Sequence, residues 1–257
     1  MTIPEDRGGA GLGFVEQAIL FEELGRALYP GPYFSTVALA LPALGPQEHD
    51  RIARGDVRWS AEVDGLVPDL ASVDQVVTAE GAAPAEGEML ETMDSTRRLG
   101  RVAPGLREPL PGSLDLTRAF AALASEAVGV AQRVLEWAIE HARTREQFGR
   151  PIGVYQAISH PIATTYIETE LARSLALWAA WSVDEDEEHA PLAAAAAKAY
   201  AAETAVSACE RSIQVHGGIG FTWEHPLHRY YKRAQWIESF GGYPAQQRAQ
   251  VAAALLD

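Results

Sequence analysis

The chain holds a single cysteine, Cys209, in 257 residues. A disulfide framework and a thiolate metal cluster are therefore both excluded within one chain. No apolar run reaches the length of a membrane span, and no serine sits in a nucleophile elbow. Its 7 histidines show no metal-ligand spacing, so no metal is expected. Cations are scarce: 21 Lys and Arg stand against 35 Asp and Glu, a formal net charge of −14. That balance argues against nucleic acid or an anionic membrane as the main partner. It leaves room for a nucleotide cofactor, because a local arginine cluster binds phosphate even in an acidic protein. The opening Met1-Thr2-Ile3-Pro4-Glu5 carries no basic segment followed by an apolar one, so no signal peptide is read and a cytoplasmic protein is expected.

What the chain does have is alanine and helical periodicity, above all in its second half. Residues 3–13, rich in glycine, read as a loop. From Phe14 to Leu28, Val15, Ala18, Ile19, Leu20, Leu24 and Leu28 recur at helical spacing, and Pro30-Gly31-Pro32 stops that helix. Thr36 to Leu44 reads as a second apolar helix. Residues 46–112 change character, with short strand-like pieces at Arg58–Val63, Gln75–Thr78 and Leu99–Val102. Gly81 to Gly87 reads as a linker. After Leu114 long helices are expected over Leu116–His141, Val154 to about Val183, Pro191 to about Val215, Pro226 to about Ser239, and Ala245 to Leu256. Long helices with short connections predict a bundle. The fold class expected is mainly α. It comprises a truncated N-terminal helical part (1–45), an abbreviated middle β-region (46–112) and a C-terminal four-helix bundle (113–257).

Candidate chemistry gathers around two helix ends. Arg143, Arg145 and Arg150 flank a helix-to-helix turn, where they either clamp a pyrophosphate or simply offset the helix dipole. Gly217-Gly218-x-Gly220 either lets a cofactor approach the backbone or caps a helix. It is not a dinucleotide fingerprint, since no strand precedes it. His160 and His216 are candidate acid–base groups or packed histidines. Trp178, Trp181, Trp223 and Trp236 read as core or interface, with Trp223 a candidate cover for a ring.

Several motifs taken together resemble the acyl-CoA dehydrogenase family. They are Arg145-x-Gln147-Phe148-Gly149-x-Pro151-Ile152, Tyr155-Gln156-x-x-x-His160, Gln214-x-x-Gly217-Gly218-x-Gly220 and His225-Pro226-Leu227-His228-Arg229. Weaker echoes lie in Ile3-Pro4-Glu5-x-x-Gly8-Gly9, Glu22-Glu23-Leu24-Gly25 and Asp94-x-Thr96-Arg97-Arg98-Leu99. The resemblance implies an N-terminal helical domain, a middle β-domain and a C-terminal four-helix bundle. It implies α,β-dehydrogenation of an acyl-CoA thioester, in which a carboxylate takes the α-proton and FAD takes the hydride. Arg145, Gln147 and Phe148, with Gln214, Gly217 and Gly218, would then contact FAD across a subunit interface. Electron-transfer flavoprotein is the acceptor the family implies.

Against that pattern the chain shows three departures. It begins about where the family's second or third helix begins. Between Gly45 and Leu66 it lacks the family's flavin-seating segment. And both usual positions of the catalytic base are empty of carboxylate: one falls on Gly241, the other on Thr117 within Leu114-Asp115-Leu116-Thr117-Arg118. A threonine hydroxyl is no general base near neutral pH, and a lost base typically forfeits about 10²–10⁴-fold in rate. Glu238 and Glu126 are the nearest substitutes. Leu116, Phe120 and Leu123 are read as pocket lining or as core. The departures resemble the base-lacking subunit of actinobacterial-type heterotetrameric acyl-CoA dehydrogenases of steroid or lipid catabolism. The expected function is a non-catalytic partner that shares FAD across an interface. Two readings stay open beside it: a self-sufficient dehydrogenase with an unrecognised base, and a non-enzymatic assembly protein or truncated remnant.

Overall fold

The computed structural model describes residues 1–256. The first helix, α1 (Phe14–Arg26), buries Phe14, Gln17, Ala18, Phe21 and Gly25, so of the expected apolar positions within it only Ala18 faces fully inward and Ile19 is exposed. The apolar stretch after it does not form an ordinary helix. Ser35–Ala40 winds as one π-helical segment and Leu41–Ala43 as a 3₁₀ turn, where Pro42 interrupts any longer run. A short helix, α2 (Pro46–Ala53), then occupies a stretch expected to be β-like. It buries none of its residues, so apolar periodicity gave no sign of it.

The middle region makes two small sheets. In one, β1 (Trp59–Ala61) runs parallel to β3 (Gln75–Thr78), and β4 (Gly81–Pro84) pairs antiparallel with β3 through Thr78↔Gly81 to Gln75↔Pro84. In the other, β2 (Val67–Pro68) and β5 (Gly87–Met89) flank β6 (Leu99–Val102). The supposed linker at Gly81 to Gly87 is thus a hairpin arm and the start of a second strand. The first piece is a strand through pairing with β3 just before it and the second through pairing with β6, which its own composition does not reveal.

The rest is helical: α3 (Thr117–Thr144), α4 (Gln156–Glu185), α5 (Ala190–His216), α6 (Leu227–Ser239) and α7 (Pro244–Leu256). Each matches its expected span to within a few residues. A two-stranded hairpin, β7 (Glu146–Gln147) and β8 (Arg150–Pro151), joins α3 to α4. Helices α3, α4 and α5 pack on one another, α6 and α7 lie on α5, and α1 docks on α3 and α4. One apolar core runs from Phe14 through Trp59 and Val77 to Phe120, Ala197 and Leu227. Among the described residues no helix is long and apolar enough to cross a membrane.

Alanine and glycine set the helix spacing. Gly129 on α3 faces the Glu22 carbonyl of α1, and Gly25 on α1 faces the Glu126 carbonyl of α3. A methyl group at 129 would also stand 2.7 Å from the Arg26 amide nitrogen. In an isolated helix Gly→Ala stabilises by about 1 kcal/mol. Here Gly129→Ala is expected to destabilise by about 1–3 kcal/mol, because two backbones must part. Urea unfolding reads the sign, and a gain in stability would show that the helices do not meet at this point.

Candidate functional site

Helix α3 gives out at Thr144, and Arg145 already has extended backbone. The hairpin that follows turns through Phe148 and Gly149, at φ +54° and +76°. Positive φ at both central residues is the geometry of a two-residue hairpin with a primed turn. Glycine takes it freely, whereas a phenylalanine there is strained. Phe148 stands out from the surface at 92% exposure. Behind it the turn is braced: Tyr155 Oη donates to the Gln147 carbonyl at 3.2 Å, and the Arg150 guanidinium lies 4.7 Å from the Tyr155 ring centre. Arg150 is thereby spent on the hairpin. Arg143, Arg145 and Gln147 are exposed.

The second cluster stands at the end of α5. Gly217 closes the helix at φ +64°, and both Gly217 and Gly218 face open space, with no atom within 4 Å of where a side chain would begin. Gln214 is exposed beside them. Where α3 and α5 end together lies a cavity of about 230 Å³ lined by Trp137, Glu140, His141, Thr144, His216, Ile219 and His225. His141 stacks on His216 at 4.5 Å between ring centres, and His225 follows at 4.6 Å. Burial, then the neighbouring imidazoles, lower the pKa of His141 and of His225, which favours neutral rings near pH 7. His216 Nδ1 pairs with the Ser212 carbonyl at 2.8 Å, a packed histidine. Among the described residues no His, Cys, Asp and Glu group is arranged to hold a metal. His160 lies exposed on α4, apart from this cluster.

The residues fit one edge of a dinucleotide. They offer a cation, two amide side chains, an aromatic ring and bare backbone. All six named contacts, Arg145, Gln147, Phe148, Gln214, Gly217 and Gly218, are exposed. Ligand sites of this size usually enclose most of the ligand in about 300–1,000 Å³. The cavity at the ends of α3 and α5 is smaller than that.

The two positions at which a base was sought meet in space. Thr117 and Gly241 line one cavity of about 390 Å³ with Asp115, Leu116, Phe120, Pro191, Leu192, Gln250 and Ala254. Leu123, by contrast, is wholly buried in the core. Gly241 has φ +61°, and a Cβ there would stand 2.8 Å from Phe120 Cε1 and 3.2 Å from Leu116 Cδ1. Phe120 therefore fills the room that a side chain at 241 needs. Lys198, fully buried, fastens the turn from behind. Its ammonium donates to the carbonyls of Glu238 at 3.0 Å and Gly242 at 2.5 Å, and burial lowers its pKa to about 8. Among the cavity's lining residues the one carboxylate is Asp115, which sequence reading passed over. It accepts from the Thr117 amide at 2.9 Å and hydroxyl at 2.8 Å, a local turn just ahead of α3. An Asp two residues before a helix start was its signal.

Neither substitute carboxylate lines this cavity. Glu238 sits half-buried on α6; burial, then repulsion from Glu203, raise its pKa. Glu126 is 2% exposed. It accepts from Arg97 at 2.7 and 2.9 Å and from Arg233. Burial opposes its ionisation, but Arg97 and Arg233 outweigh burial and hold its pKa below the usual carboxylate value. Arg233 also binds Asp94 at 2.8 Å and the Thr96 carbonyl at 2.7 Å. Arg97 lies between the rings of Phe34 and Trp236 at 4.9 and 4.6 Å. This buried set ties the middle region to α3 and α6.

Comparison with known proteins agrees with the fold. Residues 112–256 match the acyl-CoA dehydrogenase C-terminal domain. The acyl-CoA dehydrogenase IpdE2 of Mycobacterium tuberculosis is 38% identical over 253 residues, covering 91% of this chain and 76% of its own length. The ChsE4–ChsE5 complex from Mycobacterium tuberculosis contains a chain that superposes with TM-score 0.85 at 27% identity, covering 99% of this chain and 84% of that one. A steroid acyl-CoA dehydrogenase variant, Tcur3481–Tcur3483, gives TM-score 0.86 at 26% identity, with coverage of 99% and 84%. With the domain match spanning more than half its length and IpdE2 similar across nearly all of it, the chain belongs to the acyl-CoA dehydrogenase family.

Proposed function

We propose that this chain is the non-catalytic subunit of a hetero-oligomeric acyl-CoA dehydrogenase and lends one edge to a shared FAD site. The observation that carries this reading is the pairing of an exposed, unwalled cofactor edge with a base cavity that holds threonine and glycine. FAD, when bound, supplies the acceptor for the acyl β-hydride. Arg145 would hold a pyrophosphate oxygen by charge-assisted hydrogen bonds, and Phe148 would present a ring face. Gly217 and Gly218 would admit the ligand against bare backbone, with Gln214 beside it. Thr117 and Gly241 provide no group able to take an α-proton. A second family chain would therefore bring the base and most of the flavin site. The similarity to a steroid acyl-CoA dehydrogenase and to one chain of a two-component complex supports a steroid- or lipid-derived acyl-CoA as the substrate class. Electron-transfer flavoprotein fits as the acceptor.

A second reading is favoured by Asp115, whose carboxylate lines the cavity. In a self-sufficient enzyme it would be the base. Co-purification with a second family chain separates the two. The proposed role expects flavin in the complex and none in the chain alone, and it expects Asp115→Asn to leave the turnover of the complex unchanged. A fall of about 100-fold in that variant would move the chemistry to this chain. A chain that recruits neither flavin nor partner would be a non-enzymatic member of the family.

A further inference from the structure

Helices α3 and α5 end side by side, and each carries a histidine in its last turn, His141 and His216. Their rings stack at 4.5 Å and 26°, and His225, just ahead of α6, lies 4.6 Å beyond His216. Trp137 closes the row edge-on, 5.1 Å from His225. Beside the row Ala138, Ala142 and Val215 form only a small apolar cluster, apart from the main core. The row is thus a large share of what joins the two helix ends. The charges around it are unequal. Glu140 is the one carboxylate lining the cavity. Arg143 and Arg145 stand at the end of α3, and His228, Arg229 and Lys232 follow on α6. Glu224 is exposed beside His225. Helix α4 meets the joint through Ile158 and Ile162, with His160 turned to solvent.

We propose that this row is a proton-operated clasp: closed while its imidazoles are neutral, it opens the joint between the ends of α3 and α5 when two of them carry charge. One positive charge is tolerated, because Glu140 and the partial negative charge of two helix C-termini stand beside it. Two charges 4.5 Å apart repel enough to weaken the second proton roughly 5- to 500-fold, from water-like to surface-like screening. The neighbouring arginines add to the repulsion. Protons therefore enter more readily once the rings part. Burial, then the adjacent imidazoles, hold His141 and His225 below the ordinary histidine value. The open form thus keeps protons that the closed form gives up, and the closed form loses stability as pH falls through about 6.5. Opening draws the Gly217 turn away from the hairpin that carries Arg145. Its bearing on cofactor binding rests on the role proposed above, whereas the opening itself belongs to the chain alone.

Backbone hydrogen exchange in the flavin-free chain tests it, because an opened joint frays the last turn of α5 and the turn after it. With the intrinsic pH dependence removed, protection over Ile213–Phe221 is expected to fall about 10-fold or more between about pH 7.5 and 5.5. Protection over Ala193–Ala201, at the other end of the same helix, is expected to stay level. His141→Phe keeps a ring in the stack without a charge, and His225→Asn keeps an acceptor for the Leu227 amide. The double variant is expected to hold its protection at the lower pH, and each single variant to lose less than the unmodified chain. His160→Phe is expected to behave like the unmodified chain. Level protection over Ile213–Phe221 in the unmodified chain would overturn the proposal. So would an acid-induced loss that persists in the single and double variants, or one spread equally over both ends of α5. With no flavin present, none of these outcomes decides the cofactor reading, which stands or falls on flavin in the complex.

Discussion

Replacing Glu126 by glutamine is expected to destabilise the protein by about 3–5 kcal/mol. Breaking a buried charge network by removing one partner costs that much, because the remaining charges stay dry and unpaid. Glu126 is the shared acceptor of Arg97 and Arg233, and all three side chains are buried. Asp69 offers little relief. It stands 3.9 Å from Arg97, and burial raises its pKa. With a fold of ordinary stability the variant would be near unfolding at 37 °C. Urea midpoints read the effect, and Glu238→Gln is the control. Glu238 is half-exposed among other acids, so its loss is expected to cost under about 0.5 kcal/mol. A cost at 126 below about 1 kcal/mol would mean that the network is not integral to the fold.

Removing the Arg145 side chain is expected to leave the fold intact and to loosen flavin in the assembled complex by roughly 10- to 100-fold. Hydrogen bonds to charged groups contribute about 1.5–3 kcal/mol, and each 1.4 kcal/mol is tenfold in affinity. The side chain is exposed and caps no core contact, so the unfolding midpoint of Arg145→Ala is expected within error of the unmodified chain. Arg150→Ala is expected to act differently. Arg150 packs on Tyr155, and its loss loosens the hairpin that carries Phe148. Flavin fluorescence during dilution of the complex gives the affinity. An unchanged affinity in Arg145→Ala would remove the hairpin from the cofactor site.

The helices were plain in the sequence because long amphipathic segments state their own period. Pro226 and Gly217 even marked their ends. The middle region was half legible. Gln75–Thr78 and Leu99–Val102 are rich enough in valine and leucine to declare themselves, whereas Gly81-Ala82-Ala83-Pro84 becomes a strand only because Gln75–Thr78 lies beside it. Helix α2 went unread because it lies on the surface with nothing buried. At the site, the individual residues were legible and their meeting was not. Thr117 and Gly241 came from two separate patterns 124 positions apart, and the fold brings them to one cavity. The role of Glu126 was out of reach for the same reason. Its partners Arg97 and Arg233 lie 29 and 107 residues away, and no local pattern records a contact that long.

The most direct test of the central claim is flavin content and acyl-CoA oxidation in the purified chain alone, supplied with excess FAD. A chain that provides a cofactor edge without a base is expected to stay colourless after desalting and to reduce no acceptor dye. One FAD per chain with steady turnover would contradict it and make this a complete dehydrogenase.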